Sequence, residues 1–203
     1  MSTSSLIAKE PKRERGKLRV ASLLDAAASL FTEKGYEATT TAAIAERAGA
    51  SIGSLYQFFP SKEAMAEALF TRYSERTALQ VKDLMRRAPG RSPEQIADML
   101  VGLMLERKSD PDREAVLALS DAISNIAERR KPLRDTVRRE ITELLRSANP
   151  RLTRRRAEIA AILIAHTMKT VRTVALAEEE NRKPLIAGIK RMLTLYIADV
   201  VED

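Results

Sequence analysis

The run Thr40-Thr41-Ala42-Ala43-Ile44-Ala45-Glu46-Arg47-Ala48-Gly49-Ala50-Ser51-Ile52-Gly53-Ser54-Leu55-Tyr56-Gln57-Phe58-Phe59-Pro60 carries two helix starts and two helix stops in close succession. Thr40 is suited to cap a short helix through Arg47, with Ile44, Ala45 and Ala48 facing inward. Gly49 breaks that helix, Ser51 caps a second, and Pro60 prevents the second from continuing past about Phe58. Two short helices joined by a tight glycine turn make a helix-turn-helix, whose second helix can enter the DNA major groove while the first crosses the backbone. Gly53 sits inside that second helix, where glycine costs about 1 kcal/mol. Such a cost is more readily tolerated where another backbone has to approach closely.

Outward from this run, the remaining pattern is helical throughout. Val20, Leu23, Ala27, Leu30 and Phe31 form an apolar stripe that stops at Lys34-Gly35, a basic last turn followed by glycine. Ser61, Glu63 and Ala64 open a long connecting helix that can run to Arg87, ahead of Pro89-Gly90. Periodicity and proline punctuation predict further helices over 92–108, 112–130, 133–148, 153–179 and 183–201, nine in all. No period-2 run of useful length occurs, so the expected fold class is all-α. Seven of the eight aromatics fall in the first 73 residues, which divides the chain in two. The expected organisation is a flexible basic arm over 1–15, a helix-turn-helix domain over 16–62 with the connecting helix over 61–87, and a C-terminal helical domain over 63–203.

Composition removes whole classes of function. With 203 residues, 44% hydrophobic and 31% charged, the chain has enough apolar material for a core. The absence of cysteine rules out disulfides, thiolate metal sites and cysteine nucleophiles, and His166 is the single histidine. No nucleophile–base set, phosphate loop or metal cluster is found, so neither catalysis nor a cofactor is expected. The start of the chain is polar and then charged, unlike a secretory signal, and the longest apolar-rich run, 159–166, is far below the ~20 residues of a membrane span. A soluble, cytoplasmic protein with no membrane partner is expected. The net charge of +7 favours an anionic partner.

The segment Gly35-Tyr36-Glu37-Ala38-Thr39-Thr40-Thr41, followed by Ile44 through Glu63, resembles the tetracycline-repressor (TetR) family. The resemblance implies a ligand-responsive transcriptional repressor that binds a palindromic double-stranded DNA operator as a homodimer. Carried over by position, Thr40 and Thr41 meet phosphate at the start of the second helix. Ser51, Ile52, Gly53, Ser54, Tyr56 and Gln57 form the recognition helix, with Tyr56 offering its ring hydroxyl to phosphate, and Lys62 supplies charge at the start of the fourth helix. Leu55 and Phe59 match the buried side. Many members carry Arg or Lys where this chain has Ala42 and Ile52, so the operator sequence does not transfer. The basic arm, including Arg13, Arg15, Lys17 and Arg19, is either a DNA contact or a solvated tail.

In the C-terminal region, Ile159, Ile162 and Leu163 belong to one apolar band and Leu185, Ile189, Met192, Leu193 and Tyr196 to another. By composition these could be intrachain core; the resemblance implies a four-helix dimer interface instead. A small-molecule effector pocket is expected among Met99, Met104, Ser124, Asn125, His166 and Thr170, although methionine is also ordinary core filler and His166 also fits an interface or core. With nearly all the aromatics confined to the other end, such a pocket suits an aliphatic, acidic ligand. The basic concentration over 128–156 reads as a solvated face. The alternative is a ligand-independent, architectural or partner-controlled regulator of the same fold.

Overall fold

A computed structural model describes residues 14–106, 110–119, 128, 131–175 and 179–202. Among these the structure holds nine helices and no strand. They are α1 (Glu14–Ala38), α2 (Thr41–Arg47), α3 (Ile52–Phe58), α4 (Lys62–Arg87), α5 (Pro93–Glu106), α6 (Pro111–Ala118), α7 (Lys131–Ala148), α8 (Arg154–Ala175) and α9 (Glu179–Glu202). No described helix is long and apolar enough to cross a membrane.

Local chemistry sets most helix ends. Gly35, at φ 78° and ψ 166°, interrupts the helical path of α1 where the sequence predicts its end. Thr39 then donates to the Gly35 carbonyl at 2.7 Å. Ahead of α5, Ser92 and Gln95 exchange bonds: the Gln95 amide donates to Ser92 Oγ at 3.2 Å and the Ser92 amide to Gln95 Oε1 at 3.1 Å, a reciprocal capping box. Asp110 caps α6, accepting from the amides of Asp112 and Arg113, with Pro111 at the first turn. One start differs from expectation. α9 begins at Glu179, so Pro184 lies inside it and not at its opening. Pro184 and Glu180 are exposed, so the backbone carbonyl that loses its helical partner there can be hydrated.

The chain forms two compact units. In the first, residues 14–75 and 110–119, the core joins Leu23, Ala27, Leu30 and Phe31 of α1 to Ile44, Leu55, Phe59, Met65 and Leu69. Ala115 of α6 and Leu119 complete it. α6 lays small and apolar side chains against α1, and its buried Asp112 pairs with Arg72 of α4. In the second unit, Val81, Leu84 and Met85 of α4 join α5, α7, α8 and α9 around Leu100, Val101, Ile141, Leu145, Ala161, Ile164, Val171, Leu193 and Ile197. There Lys190 of α9 also meets Asp98 of α5 at 2.8 Å.

Candidate nucleic-acid interface

α2 and α3 are each opened by a hydroxyl side chain. Thr40, extended at φ −108° and ψ 152°, accepts from the Ala43 amide at 3.1 Å, and Ser51 accepts from the Ser54 amide at 3.1 Å. Gly49, at φ 60°, turns the chain between them, a backbone conformation that side-chain-bearing residues rarely take. This turn lets α3 bury Leu55, with Phe59 just beyond it, both at 0% exposure. The opposite face is open: Ile52 is 43% exposed and Tyr56 50%, while Gly53 and Gln57 are also exposed and Ser54 is half-buried. A Cβ placed on Gly53 would meet nothing within 4 Å among the described residues, so no packing among them calls for glycine there. Thr41 Oγ1 and Tyr56 OH lie 3.1 Å apart in a hydrogen bond that links α2 to α3.

α1 braces this pair from outside. Arg19 donates to the Gly49 carbonyl at 3.3 Å and Ser22 to the Ala48 carbonyl at 3.3 Å. Arg47 at the end of α2 grips Glu33 with both guanidinium ends, at 2.8 and 3.0 Å, and Ser29 joins them. The Arg47 hydrogen bond, with that of Ser29 next, holds the Glu33 carboxyl down to about 2. Because the folded value lies below the ordinary 4.5, the stabilisation is present above pH 4.5 and is lost as pH falls from there toward 2. Glu33→Gln is therefore expected to flatten the denaturation midpoint against pH across that window. An unchanged acid limb would show that the brace does not stabilise the fold.

Lys62 is more deeply engaged than its position in the sequence implies. Its Nζ donates to the carbonyls of Tyr36 at 2.7 Å and Glu37 at 3.3 Å and stands 4.2 Å from the Tyr36 ring centroid. Tyr36 OH donates to Glu63 Oε1 at 3.0 Å, and burial together with that carboxylate pushes the phenol up. The start of α4 is thereby tied to the end of α1. Of the arm residues, Arg15 and Lys17 are exposed, Lys17 pairing with Glu14 at 2.8 Å, and Arg13 lies outside the described residues. Ser22, Ser29 and Glu33 were not legible as part of this surface, and Arg19 was read only as part of the arm, because no local pattern links α1 to a partner in α2.

Elsewhere the expected sites divide. On α8, Ile159, Ile162 and Leu163 are exposed, and His166 and Thr170 share their side of the helix, while Ala157, Ala160, Ala161, Ile164 and Met168 face the core. Helical phase separates His166 and Thr170 from Met99 and Met104, which are half-buried against that core. His166 Nδ1 lies 2.8 Å from the Ile162 carbonyl and Thr170 Oγ1 donates to the His166 carbonyl at 3.4 Å. Ser124 and Asn125 lie outside the described residues. On α9, Leu185 and Met192 are exposed, but Ile189 and Leu193 are buried in their own chain and Tyr196 packs beside them. What reads in sequence as one broad band is two stripes. Of the basic face, Arg139, Arg146 and Arg154 pair with Glu140, Glu143 and Glu158 at 3.7, 3.9 and 2.9 Å.

Residues 23–69 match the model of the bacterial regulatory proteins, tetR family, and residues 92–197 match the tetracyclin repressor-like C-terminal domain, which alone covers over half the chain. The chain belongs to the TetR family. TetR-family membership places it among bacterial regulatory proteins. It is 34% identical over 100 residues to the HTH-type transcriptional repressor KstR of Mycolicibacterium smegmatis, covering 49% of this chain and 46% of KstR. KstR of Rhodococcus jostii is 39% identical over 71 residues, 35% of this chain and 32% of that one. The chain thus spans less than half the length of these curated relatives. Salmonella enterica GusR shares the TetR fold at a TM-score of 0.67 and 21% identity, over 96% of this chain and 100% of GusR. A SmeT–triclosan complex does so at 0.65 and 22%, over 91% and 90%.

Proposed function

We propose that this TetR-family chain is a dimeric, cytoplasmic transcriptional repressor that binds a palindromic operator through α3 and is released by a small-molecule effector. The carrying observation is the two-sidedness of α3. Its Leu55 side is sealed into the core while Ile52, Gly53, Tyr56 and Gln57 face solvent, and no packing among the described residues explains glycine at 53. A helix of this kind can lie in the major groove, with Gln57 suited to adenine and Ile52 to a thymine methyl. Thr40, Thr41, Ser51 and Ser54 supply hydroxyls around it. Lys62 has one N–H left for a phosphate beyond its two carbonyl partners.

Dimerisation is supported by the exposed apolar sides of α8 and α9, where Leu163 is 49% and Met192 64% exposed beside Ile159, Ile162 and Leu185. The effector is supported by the family and by the SmeT neighbour, which is described as a complex with triclosan. Selection of bound duplexes from a random pool is expected to return an inverted repeat. The double variant Leu163→Asp, Met192→Asp is expected to sediment as a monomer at micromolar concentration and to lose operator affinity more than tenfold. Wild-type protein that sediments as a monomer, or a selected site without two-fold symmetry, would remove the dimer from this reading.

A further inference from the structure

Between Thr40 and Pro60 the only charged residues are Glu46 and Arg47, and Arg47 is spent on Glu33 of α1. The α2–α3 surface therefore meets a phosphate with neutral groups. Two of these, Thr41 Oγ1 and Tyr56 OH, are hydrogen-bonded to one another across the two helices at 3.1 Å, and Tyr56 is half exposed. Each hydroxyl has a single proton, so within the pair one donates and the other keeps its proton for a further partner. We propose that Thr41 is a positioning residue for Tyr56: its hydroxyl donates to the phenolic oxygen and so aims the Tyr56 proton at a phosphate oxygen of the operator. The inference rests on the DNA-binding reading above and deepens it.

Three physical reasons favour this direction. A phosphate oxygen is an anionic acceptor, so the proton left over in the pair is drawn toward it, and such charge-assisted bonds are the stronger kind. The phenolic O–H is a better donor than an aliphatic alcohol, which places the phenol next to the anion and the alcohol behind it. Donation from Thr41 polarises the phenol further, because hydrogen bonds in a chain strengthen one another. The pair also holds the Tyr56 ring, so less side-chain freedom is lost when DNA binds.

The test is a double-mutant cycle on binding of the full chain to its selected duplex, with Thr41→Val, Tyr56→Phe and both together, plus Thr41→Ser. Thr41→Val and Tyr56→Phe are each expected to weaken binding roughly three- to tenfold. The double variant should bind like Tyr56→Phe alone, and Thr41→Ser should bind like wild type. Because the bond is at the surface, thermal midpoints should stay at the wild-type value, which separates positioning from a structural role. A scan of methylphosphonates along the duplex, each replacing one anionic phosphate with a neutral one, should reveal a single position where both substitutions cease to matter. Losses that multiply in the double variant overturn the relay and leave two independent contacts. Equal binding by Thr41→Val and wild type also overturns it. If the wild-type chain retains no duplex at all, the DNA-binding reading falls and the relay with it, whereas a bound duplex with additive losses removes the relay alone.

Discussion

Arg72→Ala is expected to destabilise the first unit by about 3–5 kcal/mol, the cost of taking the guanidinium away from a buried carboxylate. Arg72 on α4 donates from Nε to Asp112 Oδ2 at 2.9 Å and from Nη2 to Asp112 Oδ1, and meets Asp25 of α1 at 2.9 Å. Asp112 is 2% exposed, so its carboxylate has given up nearly all its water. Asp25 is 71% exposed at its side chain, so Asp25→Ala should cost no more than about 1 kcal/mol although the ion-pair distance is short. Burial and not distance ranks the two. Chemical denaturation of the three proteins gives the comparison, and the paired change Arg72→Met with Asp112→Leu should recover most of the loss. Equal effects of Arg72→Ala and Asp25→Ala would show that Asp112 does not depend on the guanidinium.

Leu55→Ala is expected to cost about 2–5 kcal/mol, since Leu55 is wholly buried under α3 and its removal leaves a cavity that the short helix can close only by shifting. One turn earlier on the same helix, Ile52 is exposed, and Ile52→Ala should change stability by no more than about 0.5 kcal/mol. The two substitutions should also differ in kind on DNA. Leu55→Ala lowers affinity for all duplexes through loss of folded protein, whereas Ile52→Ala changes the preferred sequence. Denaturation curves and selection on both variants check this. A Leu55→Ala protein as stable as wild type would mean that α3 is not held by its buried side.

Much of the fold is legible because its signals are local. Thr40 with Ala43, Ser51 with Ser54 and Ser92 with Gln95 are three residues apart, close enough for a cap to form as soon as the helix does. Gly35 and Gly49 end helices through their own backbone freedom, independent of any distant partner. The two-helix unit of α2 and α3, and the side of α3 that is buried, follow from these signals and the apolar spacing.

The sequence by itself determined the all-α class, the caps that open α2 and α3, the turn between them, and the residues that α3 can expose. Only the tertiary structure decided what holds them at their angles. Arg47 finds Glu33 fourteen positions away and Arg72 finds Asp112 forty positions away, and no periodicity marks either pair. Packing likewise placed α6 with the first unit and engaged Lys62 on the carbonyls of α1. It also sent Ile189 and Leu193 inward while Leu185 and Met192 stayed out. The physical reason is range: capping and helix propensity act over one turn, whereas an ion pair or a buried stripe is chosen by which helices come to lie side by side, and that depends on the shape of the whole core.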